Sequence, residues 1–148
     1  MPASDDFVVQ FREAFRLDEL TVAEEAGWAV SIRPGQVTIG SMVISALDGH
    51  LDFQDLSPGE AAGLASAFAT AERLAKEVFG AVRINLACLM MKDPIVHFHV
   101  IPRYMEPVER YGRTWVDADW PGPPTFGGAS VDDDDVLRAI RDELSAAL

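Results

Sequence analysis

The stretch MKDPIVHFHVIPRY, residues 91–104, decides how the rest of the chain is read. Between Val96 and Arg103 it is apolar apart from His97 and His99, and Pro94 punctuates its start. Side chains of a strand alternate between its two faces. In a strand, then, His97 and His99 project together, while Phe98 and Val100 turn to the opposite side. One face needs an apolar cover, and the other presents two neighbouring imidazoles.

The cover is legible upstream. Ser57 precedes Pro58 and Glu60, which places a capping serine, a proline in the first turn and a glutamate at the third helical position, a capping box. Leu64, Phe68, Ala71, Leu74, Ala75 and Val78 then form one apolar stripe, and Gly80 stands where a helix-terminating glycine belongs. Two strands follow, over residues 83–90 and 96–103, joined by a turn around Lys92, Asp93 and Pro94. Upstream of the helix, two short strands are separated by residues 24–27. In the second, Trp28, Val30 and Ile32 alternate with Ala29, Ser31 and Arg33 before Pro34 and Gly35 stop it. Residues 40–47 read as a further strand.

The ends are helical by pattern. Ser4, Asp5 and Asp6 mark a start, and Phe7, Val8, Phe11 and Phe15 follow at helical spacing to about Arg16. Ser130 and the acidic run from Asp132 to Asp135 start a last helix carrying Leu137, Ile140, Leu144 and Ala147; acids at a helix N-terminus are favoured by its dipole. Between the sheet and this helix, residues 105–128 are rich in Pro, Gly and Trp without periodicity, and read as an ordered loop. The expectation is a single α+β domain over residues 1–148. It has an N-terminal helix (1–18), a core (19–104) of about five mostly antiparallel strands under one long helix, the loop (105–128) and a C-terminal helix (130–148).

Composition narrows the function. A chain of 148 residues can bury roughly 70% of its unfolded surface without cross-links. With 24 acidic against 12 basic residues, it lacks the basic footprint that a nucleic-acid polymer requires. No apolar run approaches the roughly 20 residues that span a bilayer, so no membrane partner is expected and a cytoplasmic location is. The single cysteine, Cys88, excludes an internal disulfide and a multi-thiolate zinc site.

Two imidazoles on one sheet face suit three tasks. They can ligate a metal, although a further ligand is then needed and His50 is the only other histidine. They can be structural. Or they can act on a phosphate, one neutral ring as nucleophile and the other as proton donor. VHFHVIPRY, with Asn85 upstream and the capped helix before it, resembles the histidine triad (HIT) family of nucleotide hydrolases and transferases over roughly residues 28–104. The INLACLMMKDP lead-in and the GRTWVDADWPGPP tail resemble a bacterial branch. The family motif is His-x-His-x-His followed by two apolar residues; here its second and third histidines are His97 and His99, and Ile95 stands at the first.

The resemblance implies an HIT-like fold and a small nucleotide as partner. It makes His97 the nucleophile that attacks an α-phosphorus and forms a nucleotidyl-histidine. It gives His99 two tasks: its carbonyl orients the His97 ring and its own nitrogen contacts the phosphate. Asn85 is implied to reach the substrate phosphate or leaving group. Lys92 stands where relatives contact the leaving group through a hydroxyl, Ser31 where they bind the ribose, and Ile32 beside the base. Lys92 and Arg103 would supply positive charge. No metal or other cofactor is implied, and a homodimer is. With Ile95 in place of a polar residue, the alternative is a nucleotide-binding module with reduced or no catalysis.

Overall fold

The computed structural model describes residues 5–127 and 132–148. The helix starts read at Ser4 and at Ser130 lie outside the described residues. Helix α1 (Asp5–Ala14) and one short turn, α2 (Leu17–Leu20), lead into β1 (Thr21–Glu25) and β2 (Trp28–Ile32). β3 (Met42–Ala46), α3 (Pro58–Phe79), β4 (Arg83–Ala87) and β5 (His97–Arg103) follow. The chain ends in a small hairpin, β6 (Val108–Arg110) and β7 (Arg113–Trp115), and in α4 (Asp134–Ala146). The architecture is α+β, and the five main strands run antiparallel in the order β1-β2-β3-β5-β4.

The register assigns every strand residue a face. Val30, Ile44 and Phe98 stand in one row, and Ile32, Met42 and Val100 in the next. This is the face under α3: Phe98 meets Phe68 edge-on with ring centroids 5.1 Å apart, and Trp28 donates its indole N–H to the carbonyl of Glu60 at 2.7 Å. Ser31, Val43 and His99 form a row on the opposite face, with Ala87 beyond them.

Helix α3 begins as its sequence demands. Ser57 Oγ accepts from the N–H of Glu60, Glu60 accepts from the N–H of Ser57, and Gly80 ends the helix at φ 80°. Gly63 allows the helix to press on the β1–β2 turn. A Cβ there would lie 2.2 Å from the carbonyl oxygen of Ala26, a distance no real contact reaches.

Four expectations need adjusting. The expected strand over residues 83–90 closes at Ala87, and the expected strand over 40–47 is confined to Met42–Ala46. The expected N-terminal helix is two pieces, broken at Arg16, which takes the left-handed conformation (φ 52°). The loop expected over residues 105–128 contains the β6–β7 hairpin, turned by Tyr111 and Gly112, both at positive φ. Two consecutive positive-φ residues match the right-handed twist of paired strands. Only Gly112 advertises such a turn in sequence.

Candidate active site

His97 and His99 do project together, their ring centroids 5.1 Å apart on the face away from α3. Helix α1 and Phe15, the residue that follows it, cover them. The rings of Phe11 and Phe15 stack on each other at 4.4 Å and lie 5.1 and 5.4 Å from the His97 ring. His97 is 2% exposed. Phe126, from the segment after the hairpin, approaches His99 to 6.1 Å. The amphipathic pattern of α1 was visible in sequence, but not that its aromatic face would land on the histidines.

Hydrogen bonding fixes the two rings in opposite tautomers. The Nδ1 of His97 lies 2.6 Å from the carbonyl oxygen of Ile95. A carbonyl only accepts, so Nδ1 carries the hydrogen, and in the neutral ring Nε2 keeps the lone pair. The Nδ1 of His99 lies 3.4 Å from Nε of Arg33, a long contact. A guanidinium only donates, so here Nδ1 holds the lone pair and Nε2 carries the hydrogen. Neither Nε2 has a protein partner among the described residues, and neither is sealed from solvent. One site thus offers a nucleophilic nitrogen on His97 and a donor on His99.

The orienting carbonyl corrects one expectation. It belongs to Ile95, not to His99. The Ile95 side chain is 2% exposed within the hydrophobic core, so the backbone of this residue serves the site while its side chain serves the fold.

The electrostatics follow from burial. Desolvation, with help from His97 and then Arg33, pushes the His99 imidazole down to about 4, which keeps it neutral at physiological pH. Burial also lowers the Arg33 guanidinium from its usual value.

A pocket of about 350 Å³ opens on the pair. Phe15, Leu89, Met90 and Met91 give it an apolar wall, and Arg33, Lys92 and Asp93 are its charged residues. Of the residues expected to bind substrate, the structure brings Lys92 to this pocket, exposed in the turn before β5. Ser31 lies on the same sheet face as His99 but is fully buried, its hydroxyl donating to the carbonyl of Val43 at 3.4 Å. Ile32 is fully buried on the α3 face, away from the histidines.

Asn85 and Arg103 are joined to each other instead. Arg103 Nη1 donates to Asn85 Oδ1 at 2.7 Å, its Nε and Nη2 donate to the two oxygens of Asp117 at 2.8 and 3.2 Å, and Nη2 also reaches the carbonyl of Gly122 at 2.7 Å. Both ends of the Arg103–Asp117 pair are buried, with side chains 4% and 2% exposed. Burial alone would raise the Asp117 carboxyl; the hydrogen bonds from Arg103 and from the N–H of Tyr104 outweigh it and hold the group below its usual value. Arg103 therefore ties the end of β5 to the segment after the hairpin. The residue that sequence reasoning missed is Arg33: it stood in the alternation of β2, but nothing local marked it as the partner of His99.

Among the described residues one group could hold a metal ion, Asp48, His50 and Glu60, whose ligand atoms lie within 4.8 Å of one another. His50 Nε2 and Glu60 Oε2 already pair at 2.8 Å, and the other oxygen of Glu60 completes the α3 capping box. No helix among the described residues is long and apolar enough to cross a membrane.

No family model matches the sequence, and no curated protein matches it. Solved structures do. A histidine triad protein from Marinobacter aquaeolei aligns with a TM-score of 0.70 at 19% identity, over 92% of this chain and 93% of its own. The chain has the histidine triad fold. A Hit-like protein from Bartonella henselae, described as involved in cell-cycle regulation and solved with an unknown ligand, gives 0.70 at 16% identity over 94% and 95% of the two chains. A zinc-bound histidine triad family protein from Mycobacterium smegmatis gives 0.59 at 20% identity over 94% and 96%. At these identities the likeness is one of fold. Within that fold the histidine pair of this chain stands on the fifth strand, on the face away from the long helix, and lines a pocket.

Proposed function

We propose that the chain is a nucleotide hydrolase or transferase in which Nε2 of His97 attacks the α-phosphorus of a nucleotide. The substrate class is a nucleoside phosphoramidate, a dinucleoside polyphosphate or a related nucleotide. A nucleotidyl-histidine forms as the bond from phosphorus to the leaving group breaks, and water or another acceptor then takes the nucleotidyl group and frees His97. The observation that carries this reading is the opposed tautomers of two adjacent imidazoles. The lone pair on His97 Nε2 is the attacking group, and the N–H on His99 Nε2 is a donor for a phosphoryl oxygen. Splitting one displacement into two through a covalent histidine makes each step easier, and the rest of phosphoryl chemistry is positioning and charge stabilisation. Lys92, at the pocket, supports the leaving group by its charge.

Ile95 is compatible with turnover because its contribution to the site is a backbone carbonyl, which any residue supplies. A second reading, a binding module without efficient chemistry, draws on the cover over His97: with Phe11 and Phe15 in place, that ring is 2% exposed. The two readings separate in one experiment. Purine mononucleotides raise the thermal midpoint under both. Under the enzyme reading, release of mononucleotide from a phosphoramidate or dinucleoside polyphosphate is also seen and disappears in His97→Ala with the fold intact. Protection without any release supports the binding module instead. A homodimer fits the same scaffold through β4, which ends the sheet and leaves Leu86 exposed; sedimentation tests it.

A further inference from the structure

Arg33 has an unusual situation for a surface-derived arginine. It follows β2 and is only partly exposed; its Nε meets His99 Nδ1 at 3.4 Å, and its Nη1 is committed to the carbonyl of Gly35. Its Nη2 has no protein partner among the described residues and is not sealed from solvent. A guanidinium is a rigid planar fork. With two of its three nitrogens anchored, the third is held in place on a residue that lines the pocket of His97 and His99.

A partly desolvated cation with a free, pre-aimed donor favours an anion. The other charged residues of the pocket are Lys92, which adds to its positive potential, and Asp93, which subtracts from it. The phosphoryl group under attack occupies the two Nε2 atoms of the histidines. The free Nη2 of Arg33, one guanidinium width from the His99 contact, is then available to a second anionic group.

We propose that Arg33 is a specificity and positioning residue: its Nε fixes His99 as a donor at Nε2, and its Nη2 binds a second phosphate adjoining the one attacked. The pocket thereby selects nucleotides bearing two or more linked phosphates over monophosphates and phosphoramidates. This rests on the nucleotide reading above and narrows its substrate class. One charge-assisted hydrogen bond of the usual size corresponds to roughly a tenfold change in affinity or more.

The test is calorimetric titration of AMP, ADP, GMP and GDP into the whole protein and into Arg33→Met and Arg33→Lys, with imidazole ¹⁵N spectra of each. For at least one base, the wild type binds the diphosphate about tenfold or more tighter than the monophosphate. In Arg33→Met the two affinities converge to within about twofold, and His99 loses its single-tautomer pattern. Arg33→Lys retains the charge, so it keeps part of the diphosphate preference, and it guards against misreading a folding defect in the methionine variant. Equal affinities in the wild type, or an unchanged ratio and an unchanged His99 pattern in Arg33→Met, overturn the role of Arg33 while leaving the nucleotide reading in place. If none of the four nucleotides binds the wild type, the nucleotide reading falls, and this inference with it.

Discussion

Replacing Ile95 separates the two tasks its position performs. The side chain is 2% exposed in the core, and the carbonyl holds His97 Nδ1 at 2.6 Å. Ile95→Val removes one methylene, which in a packed core costs about 0.5–1.5 kcal/mol. Ile95→His removes an apolar burial worth about 1.5–3 kcal/mol and buries an imidazole whose polar nitrogens lose water, about 1–3 kcal/mol more. The sum, roughly 2.5–6 kcal/mol, is a large fraction of a typical domain's stability and lowers the melting temperature on the order of 10 °C. Neither change alters the carbonyl, so the tautomer and orientation of His97 persist. The assay pairs thermal melts with initial rates at a temperature where each variant is folded. Both variants are expected to melt lower and to turn over within about threefold of wild type, since a threefold rate change is well under 1 kcal/mol. A gain of orders of magnitude in Ile95→His would refute the reasoning, because it would mean that a polar side chain, not the carbonyl, is what orients the nucleophile.

Three further outcomes follow from the geometry. Arg103→Leu leaves the Asp117 carboxylate buried beside lost donors to Asn85 and Gly122, and breaking such a pair costs about 3–5 kcal/mol; chemical denaturation should show this loss, while nucleotide affinity in the folded variant stays near wild type. His99 has a folded pKa near 4, below the unfolded histidine value, so the unfolded chain binds the extra proton between roughly pH 6.5 and pH 4. Its contribution to stability is full above that window and is lost as pH falls through it. The slope of unfolding free energy against pH should flatten there in His99→Gln, and an unaltered slope would contradict the neutral assignment. Gly63→Ala gains about 1 kcal/mol of helix propensity, yet its Cβ meets the Ala26 carbonyl at 2.2 Å; net destabilisation is expected in a thermal melt.

What could be read from sequence was what local chemistry decides. Ser57, Pro58, Glu60 and Gly80 set the ends of α3 through their own backbone partners, and the alternation of residues 97–100 set the two faces of β5. These signals need no knowledge of distant contacts. Arg33 and Arg103 show the limit. Both are single arginines after or at the end of strands, and each was assigned its environment by residues far along the chain: His99 for one, Asp117 and Gly122 for the other. Sequence reasoning gave the positive charge of the pocket to Lys92 and Arg103; Lys92 does line it, whereas the sheet turns Arg103 into a tie for the segment after the hairpin and carries Arg33 to the histidines. The cover over His97 was hidden for the same reason: helical spacing identifies the Phe11 and Phe15 face, but only packing says what lies beneath it.

The central claim is that His97 Nε2 becomes covalently bonded to phosphorus. Acid-free quenching of the protein with a nucleoside phosphoramidate or a dinucleoside polyphosphate, followed by intact-mass and peptide mass spectrometry, tests it directly. The expected result is an added nucleoside monophosphoryl group on the peptide carrying His97, absent from His97→Ala and present in His99→Gln if only at lower yield. Turnover with no adduct at any quench time, or an adduct that maps to a different residue, would contradict it.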